Sequence, residues 1–66
     1  MIKIILHNGE IKEMEGPKQV RYILKSLGIL ENTVLVARGD ELLTPDRVVQ
    51  DGETIELIPV ISGGSL

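Results

Sequence analysis

Only one stretch of this chain carries helical spacing, and that restricts the fold more than any other feature. Val20, Ile23, Leu24 and Leu27 recur at i, i+3, i+4 and i+7, forming a single apolar stripe, while Lys18, Arg21 and Lys25 lie mostly away from it. Elsewhere Ile2, Ile4 and Leu6, and later Ile55 and Leu57, follow the two-residue period of half-buried strands. One helical stripe covers one face of one sheet. With 66 residues the chain makes one domain, and a domain of this size buries roughly 60% of the surface its unfolded form exposes. Each buried Ile, Leu or Val then contributes roughly 1.5–3 kcal/mol against the entropy of ordering the chain. A deep enclosed active site is not expected in such a core.

The punctuation between these runs predicts the element order. Met1 to His7 reads as a strand, and Asn8-Gly9 as a hairpin turn in which both residues accept positive φ. Glu10 to Met14 returns antiparallel. Gly16-Pro17 is expected to open the helix, with Pro17 in the first turn where its missing N–H has no intrahelical partner, and Gly28 supplies the left-handed stop. Thr33 to Arg38 reads as a buried strand, Gly39-Asp40 as a turn and Glu41 to Leu43 as a short edge strand. Thr44-Pro45-Asp46 is expected to begin a turn or a single helical turn containing Val48 and Val49. After the Asp51-Gly52 turn, Thr54 to Val60 forms the last strand, with Ile55 and Leu57 inward and Glu56 and Ile58 outward. Pro59 lacks a donor and falls near the end of the paired region.

These elements predict an α+β fold of the β-grasp type, a mixed four- to five-stranded sheet with one main helix packed on one face. The first and last strands would be parallel central neighbours, joined by a right-handed crossover. A split βαβ arrangement is the alternative, but it wants a second full-length helix. The domain is expected to span residues 1–61, with residues 62–66 as a tail.

Composition removes several functions. There is no cysteine, so disulfides, thiolate metal sites and a cysteine nucleophile are excluded, and His7 is the only histidine. At the hairpin end His7 reads as a solvated strand residue, and no second histidine, serine or acid completes a nucleophilic triad with it. A net charge of −3 and a single aromatic, Tyr22, disfavour nucleic-acid binding, which needs clustered cations or stacking platforms. No apolar run is long enough to span a membrane and the start lacks a signal-peptide pattern, so a cytoplasmic protein is expected. Glu10, Glu13 and Glu15, like Asp40-Glu41, read as solvated acids that meet a basic partner surface.

The segment Asp51-Gly52-Glu53-Thr54-Ile55-Glu56-Leu57-Ile58-Pro59-Val60-Ile61-Ser62-Gly63-Gly64 joins an acidic-Gly turn, an alternating strand and a Gly-Gly pair without side chains. With the hairpin and the Gly28-closed helix, it resembles the ThiS/MoaD family of small ubiquitin-like sulfur carriers over essentially the whole chain. The resemblance implies that the Gly64 carboxyl group is the reacting group and that Gly63 lets the tail thread into a narrow channel. It implies a protein cosubstrate, not an enzyme, with no catalytic residue, metal site or bound cofactor of its own. An E1-like adenylating enzyme would supply Mg and ATP, and a cysteine desulfurase or a rhodanese-type protein the sulfur. The Gly64 thiocarboxylate would then serve thiazole synthase, the large subunit of molybdopterin synthase or a tRNA thiolase.

Two features remain around that centre. Ile5, Ile58 and Val60 would share the sheet face opposite the helix and are the candidates for partner docking. Ser65-Leu66 departs from the family pattern, in which the second glycine is terminal, and implies a processing peptidase or an added linker. A ubiquitin-like modifier joined to lysines through Gly64 uses the same exposed terminus, and a non-covalent β-grasp interaction domain needs no reactive tail.

Overall fold

The computed structural model describes residues 1–60. Strand β1 (Ile2–Ile5) pairs antiparallel with β2 (Ile11–Met14), placing Ile2 opposite Met14 and Ile5 opposite Ile11. The turn between them differs from the expected one, because only Gly9 has positive φ, at 91°, and Asn8 does not. The loop is three residues long. Gly9 N–H donates to the Leu6 carbonyl (3.0 Å) and Leu6 N–H to the Glu10 carbonyl (2.8 Å), so a turn ending in a left-handed glycine closes the hairpin. Asn8 contributes through its side chain, whose Oδ1 accepts the Glu10 N–H at 3.0 Å.

Helix α1 (Val20–Ser26) starts later than Gly16-Pro17 suggests. Lys18–Gln19 is instead a short strand, β3, paired antiparallel with β6 (Val48–Val49), which replaces the turn or helical turn expected there. Backbone satisfaction explains both corrections. Val20 N–H donates to the Arg47 carbonyl and Arg21 N–H to that of Pro45, both at 2.9 Å, so the 45–47 segment supplies acceptors for the first turn. A side-chain cap is absent and not needed. At the other end Gly28 (φ 73°) stops the helix: its N–H bonds the Lys25 carbonyl (3.1 Å) and Ile29 N–H bonds that of Leu24 (2.9 Å). This is the paired C-terminal motif that left-handed glycine permits.

A 3-10 turn (Glu31–Thr33) leads into β4 (Val34–Arg38), followed by β5 (Glu41–Leu43) and, beyond β6, β7 (Thr54–Pro59). The main sheet runs β2-β1-β7-β4-β5, with β7 parallel to β1 and antiparallel to β4. The β-grasp expectation therefore holds in strand order and in its parallel central pair. Ile2, Ile4, Ile55, Leu57 and Val36 point from the sheet toward Val20, Ile23 and Leu24 of the helix, and Leu43 and Val49 complete the buried core. Among the described residues no buried polar side-chain atom lacks a partner. None of the described helices is long and apolar enough to cross a membrane.

Gly16 is the most crowded glycine. A Cβ there would lie 2.8 Å from Ile2 Cδ1, 2.9 Å from Ile2 Cγ1 and 3.0 Å from the Asp51 backbone nitrogen. Relief requires moving a fully buried isoleucine or the β6–β7 turn. Gly16→Ala is therefore expected to destabilise the protein by roughly 1–3 kcal/mol, read as a lower urea midpoint with an unchanged slope. An unchanged midpoint would show that this packing is loose.

Candidate functional site

The last described residue, Val60, follows β7 directly, so the last described point before the Gly-Gly pair is fixed by that strand. Its central placement fixes it on both sides: Ile55 and Glu56 lie opposite Ile4 and Ile5 of β1, and Leu57 and Ile58 opposite Val36 and Leu35 of β4. Pairing reaches Pro59, opposite Val34, and Val60 N–H still donates to the Thr33 carbonyl at 3.0 Å. Val60 is thus the last described anchor. Gly63 and Gly64, and the expected boundary between residues 61 and 62, lie outside the described residues.

Alternation divides β7 cleanly. Ile55 and Leu57 are buried against the helix, whereas Ile58 and Val60 are each 38% exposed. Ile5 is half-buried and sits directly opposite Ile11 on one side and Glu56 on the other. The three predicted docking candidates therefore fall in one region of the sheet, with Ile5 and Ile58 in adjacent rows. The structure adds three residues that the sequence reading missed. Leu35 lies opposite Ile58, Leu42 opposite Ala37 and Ile11 opposite Ile5, and all three are exposed. The signal was present in Val34-Leu35-Val36-Ala37, which is apolar at both parities, as in strands covered on both faces.

Other features border this region without adding chemistry. An apolar cleft of about 330 Å³ opens near the end of β7, between Leu6, Ile29, Val34, Leu57 and Pro59, with His7 and Asn8 at its rim. Among the described residues the exposed His7 side chain makes no hydrogen bond or ion pair with another side chain. Among the described residues no three carboxylates or histidines converge as metal ligands.

A network of ion pairs lies at the opposite end of the sheet. Arg38 bonds Glu41 (2.9 Å) and Glu53 (3.1 Å), Arg47 bonds Glu41 (3.2 Å), and Glu53 also accepts the Gln50 N–H (2.7 Å). The hydrogen bond from Arg38, followed by that from Arg47, holds the Glu41 carboxyl below its ordinary range. This network ties the β4–β5 hairpin to the turn that launches β7. In that turn Asp51 receives the N-terminal ammonium at 2.8 Å and the Gly16 N–H at 3.3 Å, and these donors, the ammonium first, depress its carboxyl.

With this geometry in view, residues 5–64 match the model of the ThiS family. The chain belongs to that family. It is 38% identical over 65 residues to the sulfur carrier protein TtuB of Thermus thermophilus, covering 96% of this chain and all of that protein. Against the sulfur carrier protein ThiS of the same organism it is 33% identical over 61 residues, covering 86% of this chain and 94% of the relative. The ThiS-family match ends at Gly64, leaving Ser65 and Leu66 beyond it.

The Asp51 contacts carry a pH dependence. Because its folded pKa lies below the ordinary value of 3.8, the stabilisation is present above that value and is lost as pH falls through the lower folded one. Asp51→Asn should consequently lower the melting temperature at neutral pH, and the gap to the unmodified protein should close on acidification through that window. A gap that persists in strong acid would mean the ion pair is not its source.

Proposed function

We propose that this ThiS-family protein is a sulfur carrier whose Gly64 carboxyl group is adenylated by an E1-like enzyme and converted to a thiocarboxylate. A single observation carries the reading: the family match ends at Gly64, five residues beyond a central strand paired on both sides. Such a strand makes a rigid handle for a chemically reactive main-chain end.

The chemistry needs nothing from the domain's side chains. A carboxylate resists nucleophilic attack, so the Gly64 carboxylate must first displace pyrophosphate from ATP, giving an acyl-adenylate. Attack by the terminal sulfur of a persulfide expels AMP. A thiol then takes the donor's remaining sulfur into a disulfide and releases the Gly64 thiocarboxylate, a good sulfur nucleophile for the acceptor. Mg and ATP belong to the activating enzyme, where metal and cationic groups offset the charge of the leaving pyrophosphate. The persulfide belongs to a cysteine desulfurase or rhodanese-type donor. Thiazole synthase, the molybdopterin synthase large subunit and a tRNA thiolase are the acceptors this chemistry suits. The order of events also requires hydrolysis after Gly64 by a processing peptidase, since Ser65 otherwise occupies the carboxyl in a peptide bond.

Docking is assigned to the exposed apolar sheet face around Ile5, Ile58 and Val60, extended by Leu35, Leu42 and Ile11. This is an exposed apolar area on and beside the strand that ends at Pro59, and an apolar area of that kind marks a partner site. Threading of Gly63 and Gly64 into the enzyme then follows from having no Cβ on either residue.

Deletion of residues 63–66 should abolish carrier-dependent ATP–pyrophosphate exchange by the activating enzyme while leaving the melting temperature within about a degree, because terminal residues contribute few buried contacts. Retained exchange by the truncated protein would remove Gly64 from the reaction. Ile58→Asp, in a protein ending at Gly64, should weaken binding to that enzyme with the fold intact.

A further inference from the structure

Across the open face of the sheet runs one row of residues in register: Ile11, Ile5, Glu56, Ala37 and Leu42. The next row holds Ile58 and Leu35. Every neighbour of Glu56 across the strands and toward the chain end is therefore apolar, yet Glu56 itself is an exposed carboxylate. The ion pairs among the described residues use Glu10, Glu31, Glu41, Asp51 and Glu53, and none uses Glu56. It also accepts no hydrogen bond from another side chain among those residues. The nearest cation by register is Lys3, two residues back along β1 and opposite Thr54, which forms no ion pair with it.

While water covers the face, this lone charge is well solvated. Covering the face with apolar surface alone would strip that water from an unpaired carboxylate, which is strongly unfavourable. A partner that fits must bring a positive charge to the centre of its contact surface. We infer that the activating enzyme docks on this face through an apolar surface presenting one arginine, whose guanidinium pairs with Glu56. This inference rests on the docking assignment made above.

Arginine suits the position better than lysine because its planar fork binds a carboxylate through two hydrogen bonds and gives up water more readily than an ammonium group. A second copy of this chain does not fit. A two-fold contact centred on Glu56 would bring two carboxylates together with the nearest cation of each copy, Lys3, a row away, and like charges across an interface oppose association.

The test uses the protein ending at Gly64 and the purified E1-like activating enzyme of the same host, with affinity read by calorimetry and turnover by ATP–pyrophosphate exchange. Glu56→Gln should weaken binding by about 30-fold or more, the loss typical of unpairing a desolvated charge. Glu31→Gln, whose carboxylate pairs with Arg21 of the helix, should change it by less than about threefold. Both variants should keep their melting temperatures. Unchanged affinity for Glu56→Gln, with Ile58→Asp still defective, would overturn the arginine pairing and leave the docking face standing. Normal binding by Ile58→Asp would overturn both. Self-association in sedimentation equilibrium that Leu35→Asp abolishes would also contradict the inference, since a second copy would then occupy the face.

Discussion

The structure depends on β7 being hydrogen-bonded on both sides, parallel to β1 and antiparallel to β4. Parallel pairing of the first and last strands cannot be made by a turn and requires nearly all the intervening chain as a crossover. The helix, both hairpins and the β3–β6 ladder therefore sit between two strands that end up side by side. The last strand lies in the middle of the sheet, where displacing it would break two ladders and expose Ile55 and Leu57. In the proposed reading, the reacting chain end is carried by this central, doubly paired strand.

That arrangement gives the two sheet faces separate tasks. The face under α1 holds the buried core, and the network of Arg38, Glu41, Glu53 and Arg47 lies at the end where β7 begins, away from the point where it finishes. On the open face, apolar residues from β1, β2, β4, β5 and β7 collect beside that point, with Glu56 among them. In the proposed reading, burial stabilises the handle and the exposed face is offered to the partner. Neither task requires a catalytic side chain, in keeping with the proposal that the reacting group is a main-chain carboxyl.

Much of this was legible in the sequence because it is written in local patterns. The Val20, Ile23, Leu24 and Leu27 stripe and the left-handed stop at Gly28 define most of α1 without tertiary information. The alternation of Ile55, Glu56, Leu57 and Ile58 orients β7. What escaped depends on partners distant in sequence. Lys18–Gln19 is extended because Val48–Val49 pairs with it, and the helix waits until Val20 because carbonyls at residues 45 and 47 receive its first N–H groups. Asn8-Gly9 was recognised as a turn, but local hydrogen bonding to Glu10 selected the three-residue form. The proposed docking face was only partly visible. Leu35 and Leu42 sit in strands whose apolar residues occupy both parities, and only the register shows which of them lie beside Ile58 and Glu56.

The proposed reacting group rests on the sequence alone, since Gly63 and Gly64 lie outside the described residues. Its chemistry is best tested by intact mass spectrometry of the protein ending at Gly64 after incubation with its E1-like enzyme, ATP and a persulfide donor. The account predicts a sulfur-for-oxygen mass increase confined to the C-terminal peptide ending at Gly64. An unmodified mass under conditions in which the enzyme consumes ATP, or sulfur located elsewhere in the chain, would contradict it.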